Sequence, residues 1–340
     1  TPSETAALER RNIAALVTAH GSAISHTAIL AHSMNIPTVI GIGDEFLANI
    51  RPGEQALVDG FSGEVILEPD AGILSKLTAP QEKSTDTSEG THTADGTHVS
   101  IYSVDDPCAP LPEYADGIAV FSCPLLSDET KQYEYYRAIA ERTPDCRAII
   151  RMPVISPKDP DRQIKYDQQI RAVFRAASHG EPGILFPMIT SVPEARKILA
   201  ACDDAKMELR AEGVKCSENV KIGFMVEIPA AAIISDCLAP MADFFIIDSD
   251  SIARHTLACY EEDCFSPDFA DGQLEAVMRL IGNSARNAVK NGARIGICGS
   301  LAGDTSLTGD FLRMGIDNFC VTPDRLAEVR KRVTEVDLEV

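Results

Sequence analysis

The chain has 340 residues, 45% of them hydrophobic, enough for two or three domains or for a small unit ahead of a barrel of about 250 residues. Its formal net charge of −20 argues against nucleic-acid and anionic-membrane surfaces. There is no apolar run near the roughly 18 residues of a membrane span, no basic-then-apolar leader, and no CxxC or zinc spacing among the ten cysteines; these features predict a cytoplasmic protein with buried, reduced thiols. A start at Thr1 in place of methionine points to a piece of a longer protein.

In chain order, the first informative segment is residues 21–41, GSAISHTAILAHSMNIPTVIG. His26 follows a Gly-Ser-Ala-Ile-Ser turn, and Ile29, Leu30 and Met34 recur after it at roughly helical spacing. A helix starting there points its free N–H groups and positive dipole end at the turn, where an anion is stabilised. Ser25 and Thr27 add hydroxyl donors, so the imidazole stands beside a ready phosphate site. A helix-capping histidine fits the local sequence equally well. Strands are expected near residues 55–58 and 63–67, closing a small α/β unit over residues 1–70. Residues 78–97 are Ser/Thr-rich and nearly free of large apolar side chains, within a polar linker assigned to residues 71–97.

From residue 98 onward, short apolar strands alternate with helical patterns. Strands are predicted at 99–104, 117–122, 148–152, 183–189, 221–227, 243–248, 294–300 and 318–322, and helices at 128–141, 161–177, 192–212, 274–291 and 325–334. Eight βα units over roughly 240 residues is the arithmetic of a (β/α)8 TIM barrel over residues 98–340. A doubly wound open sheet is the alternative, because parallel strands alone do not reveal closure.

Barrel enzymes place their chemistry at the C-terminal ends of strands. Those ends carry Arg151, Met188, Glu227, Asp248, Asp250, Cys298 and Ser300. Glu227 and Asp250 offer oxygen ligands to magnesium, Arg151 suits a carboxylate or phosphate, and Cys298 can protonate an enolate. Each has an ordinary reading too: a helix cap, a salt bridge, a packed thiol. Several at one rim weigh more than any single case.

The order Ser-His-Thr-Ala-Ile, Ala-His-Ser, Ile-Pro-Thr-Val-Ile-Gly resembles the swivelling phosphohistidine domain of phosphoenolpyruvate-utilising enzymes, and most closely that of enzyme I of the bacterial sugar phosphotransferase system. In the barrel, LFPMITSV, GFMVEIPAAA, ADFFIIDSDS and GICGSLAGD are similar to its strand-end motifs. The resemblance implies a partial swivelling domain ahead of a TIM barrel, with His26 as the phosphorylated histidine and Cys298 as the proton donor. It puts Arg151 at one phosphate-binding arginine and Glu227 at a magnesium ligand, with phosphoenolpyruvate as donor and pyruvate as product. It also implies transfer to a histidine phosphocarrier protein in sugar uptake, and a homodimer. The family's helical carrier-docking domain is matched by nothing in these residues.

The departures from that pattern concern charge. Ser122 stands for a phosphate-gripping arginine, Ser251 for the second metal ligand with Asp250 one residue earlier, Glu261 for another substrate arginine, and Ser300 for a glutamate. A further arginine-bearing segment is missing near residues 157–161, and His32 replaces an arginine beside the carrier histidine. A unit charge pair about 4 Å apart is worth roughly 4 kcal/mol at an effective dielectric near 20. Losing several arginines therefore removes most of the attraction for a donor carrying nearly three negative charges. The competing expectation is thus a degenerate, catalytically impaired relative acting as a binding or regulatory module.

Overall fold

In the computed structural model, the described residues are 13–20, 37–44, 46, 50–51, 53–59, 63–69, 90–104, 111–112, 114–126, 128–143, 148–156, 158–180, 182–217, 219–258 and 270–338. His26, His32 and Glu261 lie outside them, as does most of the expected linker. The chain divides into two units, residues 1–85 with 260–267, and residues 86–259 with 268–340.

In the first unit, β1 (Leu16–Thr18) runs parallel to β2 (Thr38–Ile40), and β3 (Ala56–Asp59) pairs antiparallel with β4 (Glu64–Leu67). The second pair occupies the two stretches expected to be strands. The first pair was not anticipated, because three residues per strand leave no alternation to read.

The second unit begins earlier than residue 98. Thr91–His92 forms β5, antiparallel to the start of β6 (His98–Ser103), with Thr91 and Thr93 only 1% and 5% exposed. The Thr93 hydroxyl accepts the Thr97 N–H at 2.9 Å, and the Ala94 N–H bonds the Val336 carbonyl. Short polar side chains that bond their own backbone made this turn look like linker in the sequence.

The remaining strands are β7 (Gly117–Val120), β8 (Ala148–Arg151), β9 (Gly183–Phe186), β10 (Ile222–Val226), β11 (Phe244–Asp248), β12 (Arg294–Cys298) and β13 (Asn318–Val321). Each from β6 to β13 pairs in parallel with the next, and β13 pairs back with β6, so the sheet closes. The open-sheet alternative is excluded. Strand periodicity sorts the residues. One side chain from each strand fills the interior: Tyr102, Ala119, Ile149, Leu185, Met225, Ile246, Cys298 and Cys320. Their neighbours, such as Ile101, Ile150, Phe186, Phe224, Ile247 and Phe319, belong to the larger outer core. Phe244 fits at the base of the barrel because Gly223 has no side chain; a Cβ there would stand 2.4 Å from the Phe244 ring.

Helices follow the strands: α1 (Glu129–Arg142), α2 (Arg162–Ala176), α3 (Val192–Ala211), the short α4 (Pro229–Ile233) and α5 (Ser235–Leu238), α6 (Ser249–Leu257), α7 (Ala270–Lys290), α8 (Thr308–Arg313) and α9 (Leu326–Glu335). Asp128 and Ser191 cap α1 and α3 by accepting the N–H groups of Lys131 and Glu194. Among the described residues, no helix is long and apolar enough to cross a membrane.

Candidate active site

Strand alternation determines what reaches the barrel mouth. Two residues beyond the interior positions Ile149, Met225, Ile246 and Cys298 come Arg151, Glu227, Asp248 and Ser300. Four polar side chains therefore crown an apolar plug on the face where barrels do chemistry.

Glu227 is 2% exposed and both its oxygens are engaged. The Arg151 guanidinium donates through Nη2 to Oε1 at 2.6 Å, and the Met188 backbone N–H donates to Oε2 at 2.8 Å. Arg151 also directs Nε at the Met225 sulfur, 3.0 Å away, which fixes the plane of the fork. Met188 has φ of 56°, a left-handed backbone costly for a side-chain-bearing residue. That conformation accompanies an N–H aimed at the carboxylate.

The other acids are engaged as well. Asp248 caps α6, accepting the N–H groups of Asp250 and Ser251 at 3.1 Å each and the Ser251 hydroxyl at 2.7 Å. Asp250 accepts the Ser300 N–H on both oxygens, at 3.0 and 3.1 Å, and the Ser300 hydroxyl as well. Gly299 makes that approach possible. Its φ is +90°, and a Cβ there would lie 2.4 Å from the Ser249 hydroxyl and 3.0 Å from the Asp250 carboxyl carbon. His255 Nδ1 lies 3.1 Å from the Glu227 carbonyl and 2.7 Å from the Ser251 carbonyl, tying the end of β10 to α6.

Cys298 is 3% exposed, in register with Asp248 on one side and Cys320 on the other. Burial pushes its thiol well above the usual range, and the charges of Asp248, Asp250 and Glu227 add to the shift. The thiol is therefore held protonated. It thus carries a proton, and its raised value disfavours a nucleophile or soft-metal ligand.

Of the residues singled out from the sequence, Arg151 and Glu227 meet directly, and Cys298 lies within electrostatic reach of Glu227, Asp248 and Asp250. Asp250 bonds Ser300. Ser122 is exposed just past β7. The sequence reading missed three features: the Asp250–Ser300 link, the backbone donor at Met188, and the His255 bridge. Only the last left a trace, in the four-residue helical spacing from Ser251 to His255.

Magnesium takes one or two carboxylates alongside water or phosphate oxygens in octahedral geometry. Here Glu227 carries a guanidinium, Asp248 a helix terminus, and Asp250 a serine backbone and hydroxyl. Among the described residues, no three His, Cys, Asp or Glu side chains gather as a metal cluster. The donor set as built does not fit that ion. A cavity of about 670 Å³ opens at the opposite, N-terminal face, beside Ser100, Phe244 and Asn318. Two of its lining cations are paired, Lys221 with Asp243 and Arg294 with Asp317, and it is remote from the strand ends that carry the chemistry.

The PEP-binding domain of PEP-utilising enzymes matches residues 157–338, and their mobile domain matches residues 1–63. The chain belongs to the PEP-utilising enzyme family. It is similar to a phosphoenolpyruvate-protein phosphotransferase from Priestia megaterium, with 29% identity over 99% of this chain and 66% of that protein. A phosphoenolpyruvate-protein phosphotransferase from Streptococcus equinus is similar to the same degree, 29% over 99% and 66%. The chain thus spans just under two thirds of the length of these curated relatives. Among solved structures, a citrate lyase from Burkholderia xenovorans LB400 matches with a TM-score of 0.50 and 14% identity, over 74% of this chain and 81% of that one. That likeness is one of fold.

Proposed function

We propose that this chain serves phosphoenolpyruvate-dependent phosphoryl transfer, as the carrier-and-barrel portion of a phosphoenolpyruvate-protein phosphotransferase-like protein, and that its own barrel cleaves phosphoenolpyruvate poorly. Family membership supports the first half. The observation that carries the second is the Glu227 carboxylate, engaged on both oxygens by Arg151 and the Met188 N–H.

In the productive sense, a His26 ring nitrogen attacks the phosphorus and the bond from phosphorus to the enol oxygen breaks. The enolate carbon then takes the Cys298 proton to give pyruvate. Such a transfer depends on positioning and electrostatics more than on covalent chemistry by the protein. Arg151 is the cation on β8 that would grip the donor, yet it is bound to Glu227. Serines stand where further gripping and ligating groups are expected, at 122 and 251. No step is routed through magnesium, because the residues as they stand do not fit the ion. The phosphocarrier partner and a homodimer, by resemblance, and a cytoplasmic setting, from the cysteine usage, belong to the same proposal.

Radiolabelled phosphoenolpyruvate, offered with magnesium, tests it. The expected result is acid-labile label far below one equivalent per chain, absent from His26→Ala. Rapid stoichiometric labelling of His26 would overturn the claim of poor cleavage; label persisting in His26→Ala would overturn the carrier assignment.

A further inference from the structure

We propose that the Arg151 guanidinium is the resident cation of the barrel mouth, occupying the Glu227 carboxylate in place of a divalent metal, so that Glu227 binds no divalent ion in this chain. The inference deepens the reading of the mouth as the phosphoenolpyruvate end and rests on it. Four observations converge. The pair is short, 2.6 Å, with side chains 19% and 2% exposed, so water competes little with the guanidinium. The second Glu227 oxygen holds the Met188 N–H, so each carboxylate oxygen has a protein donor without metal. Arg151 has a second contact on the same side chain, Nε to the Met225 sulfur at 3.0 Å. Ser251, at the second ligand position by resemblance, turns its hydroxyl to Asp248 rather than leaving it for an ion.

Removing one partner of a buried pair strands the other charge. A metal entering at Glu227 would have to strand Arg151 in this way, and among the described residues would find no second carboxylate free beside it. Conversely, deleting the guanidinium leaves a buried carboxylate with one N–H donor and an uncompensated charge, which a divalent ion carrying its own waters can neutralise through that single carboxylate. The mouth is thereby a site with a built-in cation, suited to a ligand that arrives without metal.

The test is a titration of the full chain with Mn²⁺ alone, read by the paramagnetic resonance of the free ion. Wild type and Glu227→Gln are expected to bind indistinguishably. Arg151→Met is expected to gain one site at least about tenfold tighter, about 1.4 kcal/mol, and the double variant to lose that gain. Circular dichroism checks that each variant is folded; should Arg151→Met unfold, Arg151→Lys, which keeps the charge but not the planar fork, is expected to gain a smaller increment. A wild-type site that vanishes in Glu227→Gln would overturn the proposal, and so would a folded Arg151 variant with no gain. No phosphoenolpyruvate is present, so a failure here is distinct from a failure of His26 labelling.

Discussion

At the scale of single residues, the mouth is governed by which donors reach each carboxylate. Glu227 takes a guanidinium and an N–H, Asp248 two N–H groups and a hydroxyl, and Asp250 an N–H and a hydroxyl. The three acids at this rim are thus stabilised by local bonds, although the sequence reads two of them, Glu227 and Asp250, as magnesium ligands. Composition and position were legible; the pairing was not, because it depends on side-chain directions two strands apart. Gly299 is the sharpest test of that packing. Gly299→Ala combines an unfavourable φ with contact against Ser249 and Asp250, so it should cost about 1–3 kcal/mol. Urea denaturation reads that loss; a variant as stable as wild type would show that the close approach is not required.

At the scale of elements, alternation and capping made the barrel readable. All eight strands lie within the stretches expected for them, give or take a residue at the ends, because a closed parallel sheet needs near-continuous apolar runs with turn residues between. The three-residue strands β1 and β2 and the turn at residues 91–97, in which only Thr91 and Thr93 are buried, escaped, having too few apolar residues to carry a period. Charge ties three helices together. Arg171 on α2 bonds Glu129 on α1 at 2.9 Å, and Glu208 on α3 and Glu212 just beyond it at 3.0 and 2.6 Å. With Arg171 only 14% exposed but two partners more than half exposed, the network is worth about 1 kcal/mol rather than a sum over its bonds. Arg171→Met should lower stability by that amount at low salt and by less in molar salt; an unchanged loss at both would mean that packing, not charge, is involved.

At the scale of the whole molecule, buried thiols set a pH limit. Burial pushes Cys202 up to about 12, and raises Cys298 and Cys320 as well. An unfolded thiol releases its proton near pH 9 while the folded ones retain theirs, so the folded state binds more protons above that point. Their contribution is fully present below about pH 9 and is lost as pH rises towards about 12, at roughly 1.4 kcal/mol per pH unit for each thiol. Melting temperature should therefore fall steeply between about pH 9 and 11, and less steeply in Cys202→Ala. A flat profile would contradict burial of these thiols.

Function turns on whether the mouth can hold a donor of nearly three negative charges while the Arg151 guanidinium is bound to Glu227. Calorimetric titration of phosphoenolpyruvate into the full chain, with magnesium in excess, measures this directly. The expected result is no saturable binding tighter than about 1 mM, a free energy near −4 kcal/mol. A micromolar complex that weakens in Arg151→Met would contradict the proposed loss of donor binding.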